Sequence, residues 1–433
     1  MSDFYSSILQ GVKKPYKQVL NLSSGDPQAL SLKPLTFVRQ VLAGCLYPTL
    51  LHGDTLPADV RQRVQKLLVF CGIYCGVFYK SLGSHLETHG IRKLQHSISD
   101  FISRRDGVAS DPDNIYITNG STATLLKLFV PNGSSLQTGV LTPEPSYNGF
   151  KFALAAQGAL VVPYYLREEQ GWAVQLDELH RAVLTAKGYC NLMALYVINP
   201  GNPTGHVQTK DSIKDVIRFA AEERLIIMAD EVYQSCMIGE GMEFCSYKRA
   251  LMEMGAPYSN MVELASINSI SKGLMGECGL RGGYVELVNF DPSMKQNIFK
   301  LFSAMPCASL MGQIALHVMV DPPRPGQPSY PLYTNVRLEG FSLVLTLGVL
   351  NSLPAITWQP VMGGMFAFPR VSFSQERGQE PDVMYCLRLL EDEGLCFLPG
   401  YELGMTEVSL LKVILDLISI WLDNLLMNVN QVC

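Results

Sequence analysis

Basic residues are in deficit: 34 lysines and arginines face 39 acids, a net charge of −5 over 433 residues. Neither a phosphate backbone nor an acidic lipid is attracted to such a surface, so nucleic-acid and membrane-surface roles are excluded and small-molecule chemistry is expected. Paired cysteines are missing too. Of eleven cysteines, Cys71 and Cys75 form a C-x3-C spacing with no second pair to complete a zinc site. They read as free thiols of a reducing compartment. The opening "MSDFYSSILQGVKKPYK" has neither an apolar signal core nor the character of an arginine-rich, acid-free presequence, so a cytoplasmic setting is expected. No internal repeat or low-complexity tract is visible. The late stretch "VSLLKVILDLISIWLDNLLMN" has about the length of a membrane span, but Lys412, Asp416 and Asp423 interrupt it. It is expected to be an amphipathic helix packed on the protein.

What is present is an ordinary apolar fraction, 48%, enough for a large domain with a smaller one packed on it. The middle of the chain alternates β-branched runs with helical spacing. "NIYIT" (114–118), "TGVLTP" (138–143), "ALVVPYY" (159–165), "ALYVINP" (194–200), "LIIMAD" (225–230) and "GYVELV" (283–288) read as strands. "SIKDVIRFAAEER" (212–224) reads as a helix. This rhythm predicts an α/β fold, a mostly parallel sheet sandwiched by helices. A proline-rich tract near 320–335 suggests a boundary. Residues 71–325 would form the large domain and 326–433 a smaller α+β domain containing a "WQPVMGGMFAFPR" strand and a helix near 382–394. Residues 1–70 would form an arm and part of the small domain.

In open α/β sheets ligands sit beyond the carboxyl ends of the strands. Asn199 and Asp230 fall at such ends. "NPGNPTG" (199–205) is a rigid turn from which Asn202 projects. In "ADEVYQ", Asp230 either meets a cation or caps a following helix, and Tyr233 lies three positions on. "SINSISKGLMGECGLRGGY" (266–284) holds Lys272 and Arg281 among serines and glycines. The P-loop order is absent. Taken alone, the stretch leaves a Schiff-base lysine and a surface loop both open.

The three motifs in this order resemble the pyridoxal-phosphate-dependent aminotransferases of fold type I. "VINPGNPTGHVQT", "ADEVYQ", "SKGLMGECGLRGGYVE" and "LMEMGAPY" are similar to alanine aminotransferases in particular. "SGDPQAL", "FISRRDG", "DPDNIYIT", "MGGMFAFPR" and "CLRLLEDEGLCFLPG" extend the likeness over residues 12 to about 404. The resemblance implies pyridoxal 5′-phosphate as cofactor, amino acids and 2-oxo acids as substrates, and a homodimer. It implies that Lys272 carries the cofactor covalently and moves the substrate α-proton. Asp230 would keep the pyridine nitrogen protonated, Asn202 and Tyr233 would bond its phenolic oxygen, and Tyr147 would stack on its ring. The phosphate would fall to Gly120, Ser121, Thr122, Ser269, Ser271 and Arg281, and the substrate carboxylate to Gly25 and Asn202. The expected reaction is L-alanine with 2-oxoglutarate giving pyruvate and L-glutamate by ping-pong transamination.

Three departures accompany the likeness. The "NGST" turn is followed by fewer residues than the family pattern and lacks its acid. His85 stands where the family has a tyrosine that reaches the neighbouring subunit's phosphate. No arginine follows Arg388, although the family clamps the substrate carboxylate with a late one. Losing such a fork costs about 3 kcal/mol by analogy with broken buried charge pairs. The sequence therefore also allows a cofactor-binding but catalytically impaired dimer partner, or an aminotransferase for another amino acid.

Overall fold

The computed structural model describes residues 14–16, 19–23, 25–28, 33–70, 87–122, 136–239, 241–304, 307–339, 356–357, 359–371, 381–405 and 411–414. Seven strands make one sheet: β1 (Ile115–Thr118), β2 (Thr138–Glu144), β3 (Leu160–Tyr165), β4 (Asn191–Ile198), β5 (Ile226–Asp230), β6 (Leu264–Ser269) and β7 (Gly283–Val288). Their spatial order is β1-β7-β6-β5-β4-β2-β3. Only β7 runs against its neighbours β1 and β6; the other pairs are parallel. The α/β architecture expected from the sequence is the one that folds.

The strands are apolar along their length because helices cover both faces. Leu195, Val197, Ile227 and Ala229 point to a core shared with helices Leu176–Ala186, Lys210–Glu222 and Tyr247–Met254. Ala194, Tyr196, Met228 and Ile267 point the other way, onto Phe150 and Leu154 of helix Asn148–Ala156 and onto Ile298 and Phe302 of helix Pro292–Ser303. This is the two-residue period of a strand. Helix Lys210–Glu222 shows the helical period: Ile213, Val216, Ile217 and Ala220 are buried on one stripe. Thr209 caps it by accepting from the Ser212 amide at 3.2 Å. A third core joins helices Thr36–Leu46, Ala58–Phe70, Arg92–Asp106 and Leu310–Val320.

Short strands flank the main sheet. Leu20–Asn21 runs parallel to Leu395–Cys396. Leu411–Ile414 lies between Phe366–Ala367 and Leu398–Pro399, antiparallel to both. This corrects the helix expected from about residue 408: its described part, 411–414, is a strand. Both of its edges find partner backbones, which overrides local helical spacing. The single strand expected at "WQPVMGGMFAFPR" is also interrupted. Met362 and Gly363 both donate to the Gly205 carbonyl, at 2.9 and 3.0 Å. Gly364 takes a φ of +86°, so the extended pairing starts only at Phe366. That detour ties the small sheet to the turn carrying Asn202.

Candidate active site

The carboxyl ends of β4, β5 and β6 meet at one crevice. The turn after β4 is self-supporting. Gly201 donates to the His206 carbonyl at 2.8 Å, and the Asn199 side chain accepts from the Gln208 amide at 3.0 Å. Asn202 is buried there. Its Nδ2 donates to the Tyr233 hydroxyl at 3.3 Å, while its Oδ1 has no hydrogen-bond partner among the described residues. A buried acceptor left without a donor is costly and signals a ligand position.

Asp230 ends β5 and is buried. It does not open a helix; residues 232–235 form a turn. Its Oδ2 accepts from the Tyr196 hydroxyl at 2.9 Å and its Oδ1 from the Val232 amide at 3.4 Å. Burial pushes its pKa up to about 6, while those two hydrogen bonds and the nearby Lys272 charge pull the other way. Burial also holds the Tyr233 hydroxyl well above its ordinary range, with the Asp230 charge adding to it. The turn is pinned from behind. Glu231 faces the opposite side and accepts from the Tyr247 amide at 2.8 Å and from the Ser266 hydroxyl at 2.6 Å. The Gln234 side chain accepts from Arg105 at 2.6 Å.

Lys272 follows β6 on a looped segment. Its Nζ donates to the Gly25 carbonyl, and burial lowers its pKa, making the neutral, nucleophilic amine more accessible. A Cβ on Gly25 would lie 2.7 Å from that Nζ and 3.3 Å from the Phe366 ring, so a side chain at position 25 would displace the Lys272 amine. The two segments are tied together: Gln28 donates to the Gly276 carbonyl at 3.0 Å, and Arg39 pairs with buried Glu277 at 2.8 Å. Cys278 also enters the site, with its thiol donating to the Ser271 carbonyl at 2.8 Å.

A second end of the site is built mostly from backbone. Gly120 turns the chain at φ +97°, and Ser121 and Thr122 open a helix, both half-buried. Arg281, exposed and at φ +56°, donates to the Asn119 carbonyl at 3.0 Å and to the Cys278 carbonyl at 2.8 Å. A Cβ on Gly120 would lie 2.7 Å from the Arg281 guanidinium. Ser269 is buried at the end of β6 and accepts from the Ser271 amide at 3.3 Å. A guanidinium beside a helix start is an arrangement that accepts an anion. Tyr147 stands just before helix Asn148–Ala156, partly exposed, within electrostatic reach of Tyr196 and Tyr233.

The structure thus gathers Gly25, Asn202, Asp230, Tyr233 and Lys272 at one end of the site and Gly120, Ser121, Thr122 and Arg281 at the other, with Ser269 ending β6 and Ser271 on the segment from there to Lys272. His85 lies outside the described residues. Tyr196, Cys278 and Phe366 were not singled out from the sequence. Tyr196 lies two residues before Ile198, and only the pairing of Ile198 with Asp230, which the structure gives, puts all three on one sheet face. Cys278 and Phe366 reach the site only through loop and small-sheet geometry.

Comparisons with known proteins identify the family. The family model described as aminotransferase class I and II matches residues 79–410. Alanine aminotransferase 2 of Xenopus laevis is 44% identical over 92% of this chain and 76% of its own length. Human alanine aminotransferase 1 is 44% identical over 92% of this chain and 82% of its own. Glutamate–glyoxylate aminotransferase 2 of Arabidopsis thaliana is 34% identical over 92% and 84%. Among solved structures, an alanine aminotransferase from Pyrococcus furiosus superposes with a TM-score of 0.72 at 19% identity, covering 95% of this chain and 90% of that one. Its likeness is one of fold. From the matched length and the identity to these relatives, the chain belongs to the class I and II aminotransferases, a family of transferase enzymes.

Proposed function

We propose that this aminotransferase moves the amino group of L-alanine to 2-oxoglutarate, giving pyruvate and L-glutamate in two successive half-reactions. The similarity to alanine aminotransferases over most of the chain supports the substrate pair. The observation that carries the chemistry is the half-buried Lys272 amine, held on the Gly25 carbonyl with Asp230 near enough to act on its charge.

The family's cofactor is pyridoxal 5′-phosphate. The residues present fit it: buried Asn202 offers an acceptor without a partner among the described residues, and Gly120 and Arg281 approach closely enough to exclude any side chain between them. In this reading Lys272 would carry the cofactor covalently, Asp230 would pair with its pyridine nitrogen, and Asn202 and Tyr233 would bond its phenolic oxygen. Tyr147 covers its ring. Gly120, Ser121, Thr122, Ser269, Ser271 and Arg281 hold its phosphate. When bound, the cofactor supplies an electron sink for the substrate carbanion. The protein supplies the proton chemistry and the positions. Lys272 Nζ, whose pKa burial lowers, would accept the proton from the substrate α-carbon. Gly25, lacking a side chain, leaves room for the substrate carboxylate beside that amine, with Asn202 as its other contact.

The test is production of pyruvate from L-alanine and 2-oxoglutarate by purified protein with pyridoxal 5′-phosphate, alongside a panel of other amino acids. Turnover of alanine above the rest is expected. No pyruvate, with cofactor demonstrably bound, would remove the reading; faster turnover of another amino acid would reassign the substrate.

A second reading rests on the late sequence. The strand Leu411–Ile414 pairs with Phe366–Ala367, and Phe366 lies against Gly25. This strand therefore borders the site, yet no arginine follows Arg388. A slow homologue that binds cofactor and serves as a dimer partner is the alternative. Leu411→Arg or Lys412→Arg would then raise alanine turnover strongly, and no gain from either would count against it. A homodimer is part of both readings, and sedimentation analysis of the holoprotein checks it.

A further inference from the structure

We propose that Tyr196 is a positioning residue for Asp230: its hydroxyl holds one carboxylate oxygen and leaves the other, which accepts a long bond from the Val232 amide, to meet the cofactor's pyridine nitrogen. This rests on the reading of Asp230 given above. Tyr196 is fully buried on β4, one register step behind Asp230 on the same sheet face. That offset lets the long phenol reach forward to the carboxyl end of β5, where its hydroxyl donates to Asp230 Oδ2 at 2.9 Å. The ring is not free to swing. Phe150, also fully buried, stacks on it with centroids 3.6 Å apart. Phe150 belongs to the helix that Tyr147 precedes, so one short helix locates both the tyrosine meant to cover the cofactor and the tyrosine that braces its acid.

The brace has an electrostatic purpose. The other bond to Asp230, from the Val232 amide, is long at 3.4 Å. The Lys272 charge also acts on Asp230, and Tyr233 lies within electrostatic reach of it on the following turn. Glu231 is turned to the opposite face by Ser266 and the Tyr247 amide. Tyr196 is therefore the main hydrogen-bond donor to the acid among the described residues. Burial and the Asp230 charge keep its own hydroxyl protonated, so it stays a donor. A donor to a carboxylate favours the ionised form, which is the form that pairs with a protonated pyridine. Affinity for the cofactor then falls as pH drops through the Asp230 pKa. Removing the donor raises that pKa, so the fall begins at higher pH.

The experiment titrates apoprotein with pyridoxal 5′-phosphate across pH, following bound-cofactor absorbance, for wild type, Y196F, D230N and the double variant. Y196F is expected to bind about tenfold more weakly near neutral pH, the effect of one hydrogen bond to a charged group. Its acid limb should move up by about one pH unit. In the Asp230→Asn background, Tyr196→Phe should change nothing further. Equal affinity and an unmoved limb in Y196F, or an undiminished loss in the Asp230→Asn background, would overturn the proposal. If wild type itself binds no cofactor, the functional reading fails instead. Should Y196F not fold, 3-fluorotyrosine at position 196 keeps the ring and strengthens the donor. The limb should then move to lower pH, and an unmoved limb would overturn the proposal.

Discussion

The two ends of the site are built differently. The end proposed for the cofactor ring is made of buried side chains bonded to one another: Asn202 to Tyr233, Tyr196 to Asp230, with Glu231 and Gln234 anchored behind the turn. The end proposed for its phosphate is made of backbone, a glycine turn and a helix start, closed by an exposed arginine. Electrostatic effects are large where water is excluded and modest where it is not. Substitutions at the buried end should therefore change chemistry, and those at the open end mainly affinity.

Lys272→Ala tests the buried end most severely. The absorbance of lysine-bound cofactor should vanish, and alanine-dependent pyruvate formation should fall at least about 10³-fold, within the range general acid–base groups supply. An unchanged spectrum would move the lysine assignment elsewhere. Asp230→Asn should come next, costing about 10²-fold or more in turnover through loss of a buried charge partner. It also carries a pH signature in the apoprotein. The folded pKa of Asp230 lies near 6, above its ordinary 3.8. Between those values the native state holds a proton that the unfolded state has lost, so this group's contribution to stability falls as pH rises through the window. Apo D230N should thus gain relative to wild type by up to about 3 kcal/mol between pH 4 and pH 7, measured by denaturant unfolding at several pH values. Glu231, with a pKa pushed to about 7, acts in the same direction and remains in the variant.

At the open end the effects are smaller. Arg281→Ala should weaken cofactor binding by about tenfold to a hundredfold, the range for bonds to a charged group, with turnover at saturating cofactor nearly unchanged. A large fall in turnover instead would erase the distinction between the two ends. Gly120→Ala should have the least effect on chemistry. Its φ of +97° and the 2.7 Å approach of Arg281 make the cost one of backbone strain, about 1–3 kcal/mol, seen as a lower unfolding midpoint and weaker cofactor binding.

The same contrast explains what was legible in the sequence. β2, β3 and β7 were readable within a residue because each is an apolar run ended by a turn residue. Asp230 and Asn199 were placed at the crevice by being the polar residues that end such runs. Tyr196 was hidden, because a buried tyrosine in a strand looks like ordinary core until its register to the next strand is known. The strand at Leu411–Ile414 was misread as helix. Its leucines and β-branched residues suit either state locally, and only pairing on both edges, to residues about 13 and 46 positions away, decides. Phe366 enters the site for the same non-local reason, through the turn that Met362 and Gly363 make on Gly205.

The most direct test of the whole account is a single half-reaction. Holoprotein is mixed with L-alanine alone, without an oxo acid, and both the lysine-bound cofactor absorbance and the pyruvate released are followed. The account expects the absorbance to be lost with about one pyruvate per active site, and neither change in Lys272→Ala. Cofactor held by Lys272 that keeps its absorbance and releases no pyruvate would contradict it.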